Sequence, residues 1–310
     1  MANVKVENRT LDRYLTNFIQ RYTDGKACGD FIAPAFEVKI SGDKYKIYGK
    51  ANFRNYDNRI KGREKAKEVE TYIDEGDYSC VEYSLAAFVE DKDVRDSLDV
   101  PRLKEVKIQT TADAQMRSRE KRILDVATSQ SLVTQNDTPT NKWDNKSNGQ
   151  PVDDILNAMV TIENSSAKTP NSIVMGLNVA LKLVQTDSWK DYFKYTESGT
   201  KKIFSAVDGL RSIGLEPFIT GVRGLNTNQG GASDPAWEKM IGENVIIFYR
   251  EPRPTKESNT FMFSPFTKMN SVEQYRVNGE RGVRYEIYEE IDELLVNQYC
   301  AYLYYNVLAT

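Results

Sequence analysis

The chain has 310 residues, 28% charged and 40% hydrophobic, with a formal net charge of −3. That length permits a sizeable core in one large domain or two, and the charge balance argues against wholesale nucleic-acid binding while leaving room for a local basic face. Histidine is absent, which removes His-dependent serine and cysteine hydrolases, HExxH metalloproteases and nearly all zinc and haem sites. Cys28, Cys80 and Cys300 are odd in number, far apart and in no metal spacing, as expected of reduced thiols in a cytosolic compartment. MANVKVENRTLDRY lacks the apolar centre of a signal peptide. The apolar run Val245 to Tyr249 is far short of a membrane span.

Residues 1–30 read as an N-terminal arm in which Leu11, Tyr14, Leu15, Phe18, Ile19 and Tyr22 recur at helical spacing. Alternation follows: Phe36, Val38 and Ile40 on one face, Glu37 and Lys39 on the other. A turn at Ser41-Gly42-Asp43 leads to Tyr45 and Ile47, which predicts a local hairpin. Charge then runs in two blocks. Residues 44–67 carry nine Lys/Arg against Asp57 and Glu64, and residues 70–99 carry ten acidic residues against Lys92 and Arg95. Such blocks read either as a solvated, weakly structured loop or as projecting β-structure; Tyr45, Tyr48, Phe53, Tyr56, Tyr72, Tyr78 and Tyr83 are too many aromatics for a disordered linker. Hairpin arms of 15 or more residues would reach roughly 50 Å, about the diameter of the whole body. An isolated two-stranded ribbon is marginal in water. Such a projection is expected to lie on a neighbouring copy.

Pro101 to Thr128 lacks Gly and any further Pro and is rich in straight-chain helix formers, predicting one helix roughly 42 Å long. Asp99 and Pro101 suit its start. Ile108, Ala112, Met116, Ile123 and Val126 form a narrow apolar stripe, so the helix reads as a strut with one packed side and one wet side. Arg117, Arg119, Lys121 and Arg122 read either as a phosphate-facing patch or as an exposed face interleaved with Glu120 and Asp125.

A polar, turn-rich stretch, 129–151, leads into an α/β unit. Its predicted elements are a helix over 152–163, a short buried strand at 172–175, a helix from 177 to 184, helical material at 189–195 and 201–213, a strand at 217–222 and an apolar strand at 244–249. A flexible loop is expected at 222–235. The remainder returns to β: Phe261, Phe263 and Phe266 flank a proline, 272–277 and 284–289 alternate, and 293–307 is β-branched and aromatic around a turn.

Catalytic constellations are scarce. Ser165-Ser166-Ala167-Lys168 matches S-x-x-K but sits in a turn-rich stretch and reads as a loop. Gly230-Gly231 lacks the Lys-Ser/Thr of a phosphate-binding loop. Glu289, Glu290, Asp292 and Glu293 form the densest acidic cluster and read as a solvated turn, although composition leaves a two-carboxylate hydrolase open as an alternative of another class. No catalytic, cofactor-binding or metal residue is assigned.

In order along the chain, FIAPAFEVKISGDKYKIYGKANFR, GDYSCVEYSLAAFVEDKDVRD, PVDDILNAMVTIENSSAKTPNSIVMGLNVALKLVQ, DYFKYTESGTKKIFSAV and GENVIIFYREPRP resemble the major capsid proteins of tailed bacteriophages with the Hong Kong 97-type fold. The resemblance runs from about Phe31 to the C-terminus and rests on the order of these stretches. It implies an α+β chain: an N-terminal arm (1–30), an extended β-hairpin loop (39–88), a peripheral domain with a long spine helix (31–38, 89–150 and 255–310) and an axial α/β domain (151–254). It also implies hexamers and pentamers closing an icosahedral virion shell around double-stranded DNA without sequence specificity, assembled in a host cytoplasm and without enzymatic activity. Separate scaffolding and portal proteins, and decoration proteins, are the further partners implied. Intersubunit contact then falls to Arg54, Arg59, Lys61, Arg63 and Lys65 of the loop, and proximity to DNA to Arg117, Arg119, Lys121 and Arg122. An encapsulin-type nanocompartment, the same fold enclosing cargo enzymes, is the variant reading.

Overall fold

The structure, a computed structural model, describes residues 6–21, 28–49, 52, 54–60, 65–193, 205–220, 224–226, 237–277 and 279–309. Its elements in chain order begin with β1 (Val6–Leu11), α1 (Arg13–Arg21), α2 (Gly29–Ile32), β2 (Ala35–Glu37), β3 (Gly42–Tyr48), β4 (Ile73–Ser79), β5 (Val81–Glu90), α3 (Asp91–Asp96) and α4 (Val100–Ala127). There follow β6 (Asn136–Asp137), α5 (Pro151–Ser166), β7 (Ser172–Gly176), α6 (Leu177–Gln185), α7 (Asp187–Phe193), α8 (Ala206–Ser212), β8 (Glu216–Thr220), β9 (Gly224–Asn226) and β10 (Trp237–Lys239). The last are β11 (Val245–Phe248), β12 (Met262–Val277), β13 (Gly282–Ile291), β14 (Leu294–Leu295), a 3-10 turn over Gln298–Cys300 and β15 (Ala301–Tyr304). No helix among the described residues is long and apolar enough to cross a membrane.

The chain divides into two units. In the first (1–43, 78–124 and 264–294), the sheet runs β1-β12-β13-β5, with β2 added parallel to β12. Val89, Val272, Tyr285 and Ile287 pack on one face of this sheet against Leu15 and Ile19 of α1 and Ile108 and Ala112 of α4. Period-2 strands and period-3.6 helices each bury one face, so the apolar phases meet in a layer. Asp12 caps α1 by accepting from Leu15 N (3.1 Å), and Asp99 caps α4 by accepting from Arg102 N (3.2 Å), satisfying otherwise orphaned donors.

The second unit (44–77, 125–263 and 295–310) is built on a sheet ordered β6-β15-β11-β7-β8. β7 and β11 are buried along their whole lengths, as expected of central strands covered on both faces. The core joins Trp143, Ile155, Ile162, Val179, Leu183, Trp189, Leu210 and Tyr304. α5 starts with proline in its first turn and ends on Ala167 in the left-handed region (φ 55°), whose N–H returns to Glu163 O, the standard helix-stop geometry.

Three expectations are corrected. The 36–40 and 45–47 segments do not pair across Ser41–Asp43: β2 joins β12 in parallel and β3 pairs with β4, because tertiary pairing outbids a local turn of ordinary strength. The paired arms are seven residues each, about 23 Å rather than 50 Å. The chain between them is dense in Asn, Asp, Lys and Arg, poor strand formers. Thirdly, 295–310 joins the second unit instead of the sheet of the first. The apolar strand β11 takes an antiparallel partner on each side, β7 and β15, the latter through Val245↔Tyr304 to Phe248↔Ala301. The N-terminal arm, too, is tied in, since β1 pairs with β12 from Val6↔Val277 to Leu11↔Glu273.

Candidate assembly surface and the spine-helix cluster

The projecting hairpin is anchored at its root. Tyr45 is buried and meets Phe263 edge-on at 5.5 Å between centroids. On β4, Gly76 makes room for that ring, since a Cβ there would lie 2.4 Å from Tyr45 Cζ. Lys46 N donates to Lys256 O (2.9 Å), Asn259 Nδ2 to Tyr48 O (3.1 Å), and Lys46 Nζ pairs with Glu257 (2.9 Å). Past the root, Asn52 and Tyr72 close the two arms with reciprocal bonds, Asn52 Nδ2 to Tyr72 O (2.7 Å) and Tyr72 N to Asn52 Oδ1 (2.8 Å). Arg54 stacks over Tyr72 (5.0 Å) and Lys67 reaches Asp57 O (2.8 Å).

Residues 54–60 and 65–72 are exposed throughout and belong to no helix or strand. Ile60 and Val69 are 50% and 60% exposed, and Tyr56 and Tyr72 are also open. Of the expected contact residues, Arg54, Arg59 and Lys65 sit on this exposed stretch; Lys61 and Arg63 lie outside the described residues, as does Gly230-Gly231.

The spine helix differs from the strut expected. Its packed side continues through polar residues: Gln115, Arg119 and Glu120 are buried together with Ile108, Ala112 and Ile123. Glu120 accepts from Cys28 N (2.7 Å), and burial raises its carboxyl above the ordinary range despite that bond. Arg119 Nη2 lies 2.9 Å from Asp30 Oδ1, close enough to pair though not aligned for a hydrogen bond. Gly29 presses on Ile123, where a Cβ would be 3.0 Å from Cδ1.

Arg122 is locked on three sides. It donates to Glu293 through Nη2 (2.7 Å) and Nε (3.1 Å), lies 3.4 Å from Glu289 and stacks on Tyr83 at 3.6 Å. Glu289 is only 2% exposed. Burial pushes its carboxyl up, while Arg119, Arg122 and a bond from Gln115 pull it back down. Beside it Asp292 accepts from Ser79 N (2.9 Å), tying the end of β4 to the residue that follows β13.

The four helix cations are therefore not one phosphate-facing patch. Arg119 and Arg122 are engaged within the protein, while Lys121 is exposed and Arg117 half-buried. Nor is the Glu289–Glu293 cluster a solvated turn. A sequence signal for this existed: Glu289 falls in phase with Tyr285, Ile287 and Ile291 on the buried face of β13. Ser165 and Ser166 are the last residues of α5, and their hydroxyls donate to Thr161 O (2.7 Å) and Ile162 O (2.8 Å). Among the described residues no group of three or more Cys, Asp or Glu side chains is arranged to hold a metal ion.

No protein-family model and no curated protein matches the sequence. Solved structures do match. A phage-related protein of Bordetella bronchiseptica is 19% identical, with a TM-score of 0.75 over 98% of this chain and 99% of that one. The virus-like particle of Pyrococcus furiosus is 13% identical (TM-score 0.52, 94% and 95% covered). The capsid of cyanophage P-SCSP1u is 10% identical (TM-score 0.53, 88% and 86% covered). At such identities the likeness shows the fold: an α+β chain built like phage capsid proteins. It is the Hong Kong 97-type fold, the one that the resemblance in sequence implies.

Proposed function

We propose that this chain is the shell subunit of a phage-type capsid, a structural rather than catalytic protein. It assembles into hexamers and pentamers around double-stranded DNA in the virion. The fold supports the reading, and the observation that carries it is the exposed chain at 54–60 and 65–72. The chain leaves its apolar side chains open, although burying each is worth about 1.5–3 kcal/mol. A second copy supplies the missing surface, and closed symmetry repeats that contact around a shell. Each exposed ion pair contributes little and is screened by salt, so the number of copies does the holding. DNA is held through charge without sequence readout. Scaffolding, portal and decoration proteins are separate chains, and assembly takes place in the host cytoplasm.

A nanocompartment enclosing protein cargo is the second reading, favoured by the likeness to the Pyrococcus particle. Nucleic acid in purified particles, or its absence, separates the two. The test is sedimentation and negative-stain microscopy of the unaltered chain and of Arg54→Glu/Arg59→Glu/Lys65→Glu. Rings of five or six, or closed particles, are expected from the first, and a folded subunit that does not assemble from the second. Assembly unchanged by the triple reversal sinks the loop's role. A subunit that stays monodisperse with its scaffold co-expressed sinks the shell reading.

A further inference from the structure

The N-terminal half of the spine helix rests on apolar side chains, whereas its C-terminal half is seated on charge. Gln115, Arg119 and Arg122 recur at helical spacing on one face of α4, and Glu120 is buried beside them. The α2 segment brings Cys28, whose N–H donates to Glu120, and Asp30, 2.9 Å from Arg119 Nη2. The end of β13 brings Glu289 and, two residues past the strand, Glu293. These two share Arg122 Nη2, at 3.4 Å and 2.7 Å. From β5, Tyr83 stacks on Arg122, and Asp292 is bound to Ser79 N. Among the described residues, two arginines therefore meet four carboxylates around this half of the helix: Asp30, Glu120, Glu289 and Glu293. The Asp30 side chain is 68% exposed, so water screens its charge. Glu120 and Glu289 are 3% and 2% exposed.

Full ionisation is the unfavourable state of such a cluster. A buried carboxylate without a full counter-charge takes up a proton instead, and two carboxylates on one cation do the same, because like charges at one site repel. Glu289 meets both conditions: Arg122 gives its short bonds to Glu293 and only the longer contact to Glu289. Glu120 is held by the neutral Cys28 N–H and faces the like charge of Asp30. Burial accordingly raises both carboxyls above the ordinary range. The Cys28 thiol is pushed up by the same burial and stays protonated, so it adds no titration of its own.

We propose that this cluster is a proton-operated seat for the spine helix. Glu120 and Glu289 each take up one proton as the pH falls, which tightens α4 on β13 and on the Cys28–Ile32 segment, and release it as the pH rises, which loosens the helix. Each neutral acid keeps an acceptor oxygen for Cys28 N or Arg122 while shedding the unbalanced charge. The sign follows from linkage: a carboxyl raised in the seated state holds its proton more tightly there than when the helix lifts and water returns. The added stability is present in full below the ordinary value of 4.5 and is lost as pH rises through the raised value. The seat belongs to the single subunit and stands whether or not the chain builds a shell.

The test is amide hydrogen exchange of the unassembled full chain from about pH 8 to about pH 5, with the intrinsic chemical rate divided out. Protection of the Cys28, Phe31, Ile32 and Ala33 amides, which bond to Glu120, Cys28 O and Gly29 O, and of α4 from Arg119 to Ile123 is expected to rise on acidification. The rise approaches about tenfold per pH unit for each proton taken up. In Glu120→Gln/Glu289→Gln, whose amides stand in for the neutral acids, protection should be high at the upper end of the range and nearly independent of pH. A flat profile in the parent, or one that the double variant reproduces, overturns the proposal. Carboxyl carbon resonances of the parent labelled at glutamate Cδ decide the matter even where the double variant does not fold. Two glutamates titrating above 4.5 are expected; every glutamate titrating at or below that value overturns the seat.

Discussion

Arg122 distinguishes the buried lock from a DNA-facing helix. Arg122→Ala removes both bonds to Glu293, the neighbour of Glu289 at 3.4 Å and the stack on Tyr83. It leaves Glu289, 2% exposed, with a burial penalty that Arg122 helped offset. Removing one partner of a buried pair costs about 3–5 kcal/mol. Arg122's side chain is itself 26% exposed, so water screens part of the loss and about 2–4 kcal/mol is expected. For a unit of this size that lowers Tm by roughly 5–12 °C. The assay is thermal and urea unfolding of the unassembled subunit by circular dichroism. Adding Glu289→Gln to Arg122→Ala should recover part of the loss, because the orphaned charge is gone. A change below about 0.5 kcal/mol, accompanied by weaker retention of DNA in particles, would refute the lock and return Arg122 to the phosphate-facing role.

Two further outcomes test the second unit. At Gly209→Ala the new Cβ would lie 2.2 Å from Trp189 Cζ2 and 3.2 Å from Phe193 Cε2. The helix gains about 1 kcal/mol from alanine but loses about 1–3 kcal/mol to overpacking of a buried tryptophan; net destabilisation by urea unfolding is expected, and a stabilised variant would show that α8 shifts freely. Burial raises the Asp154 carboxyl, against the opposing bond from Trp143 Nε1 (2.8 Å). A carboxyl raised in the folded state binds its proton more tightly there, so this penalty is present at neutral pH and lifts as pH falls through the raised value toward 3.8. Asp154→Asn keeps the acceptor for Trp143; it should match or exceed the parent at pH 7 and lose the parent's relative gain on acidification. A Tm difference that stays constant from neutral pH to about 4 would exclude this origin.

Much of the architecture was written locally. The long helix, expected from Pro101 to Thr128, spans Val100–Ala127, because a run without glycine or internal proline has one low-energy state. The alternation of 284–289 marks β13, and the apolar strands at 172–175 and 244–249 fall within a residue or two of β7 and β11. The loop's basic charge and its aromatic content are likewise features of composition.

Pairing and burial were decided by the tertiary structure. Whether Ala35–Glu37 folds back on 45–47 or runs beside Ser264–Phe266 depends on strands more than 200 residues away, and no local pattern encodes that choice. Arg119 and Glu120 read as surface residues, since a charged side chain is ordinarily too costly to bury. Asp30, Cys28 N and Glu289 make it affordable only once the fold has gathered them around the helix. Sequence by itself determined the long helix, the buried strands of the second unit and the alternation of 284–289. The three-dimensional arrangement alone determined which charges face water, because the energy of a buried charge is set by partners distant in the chain.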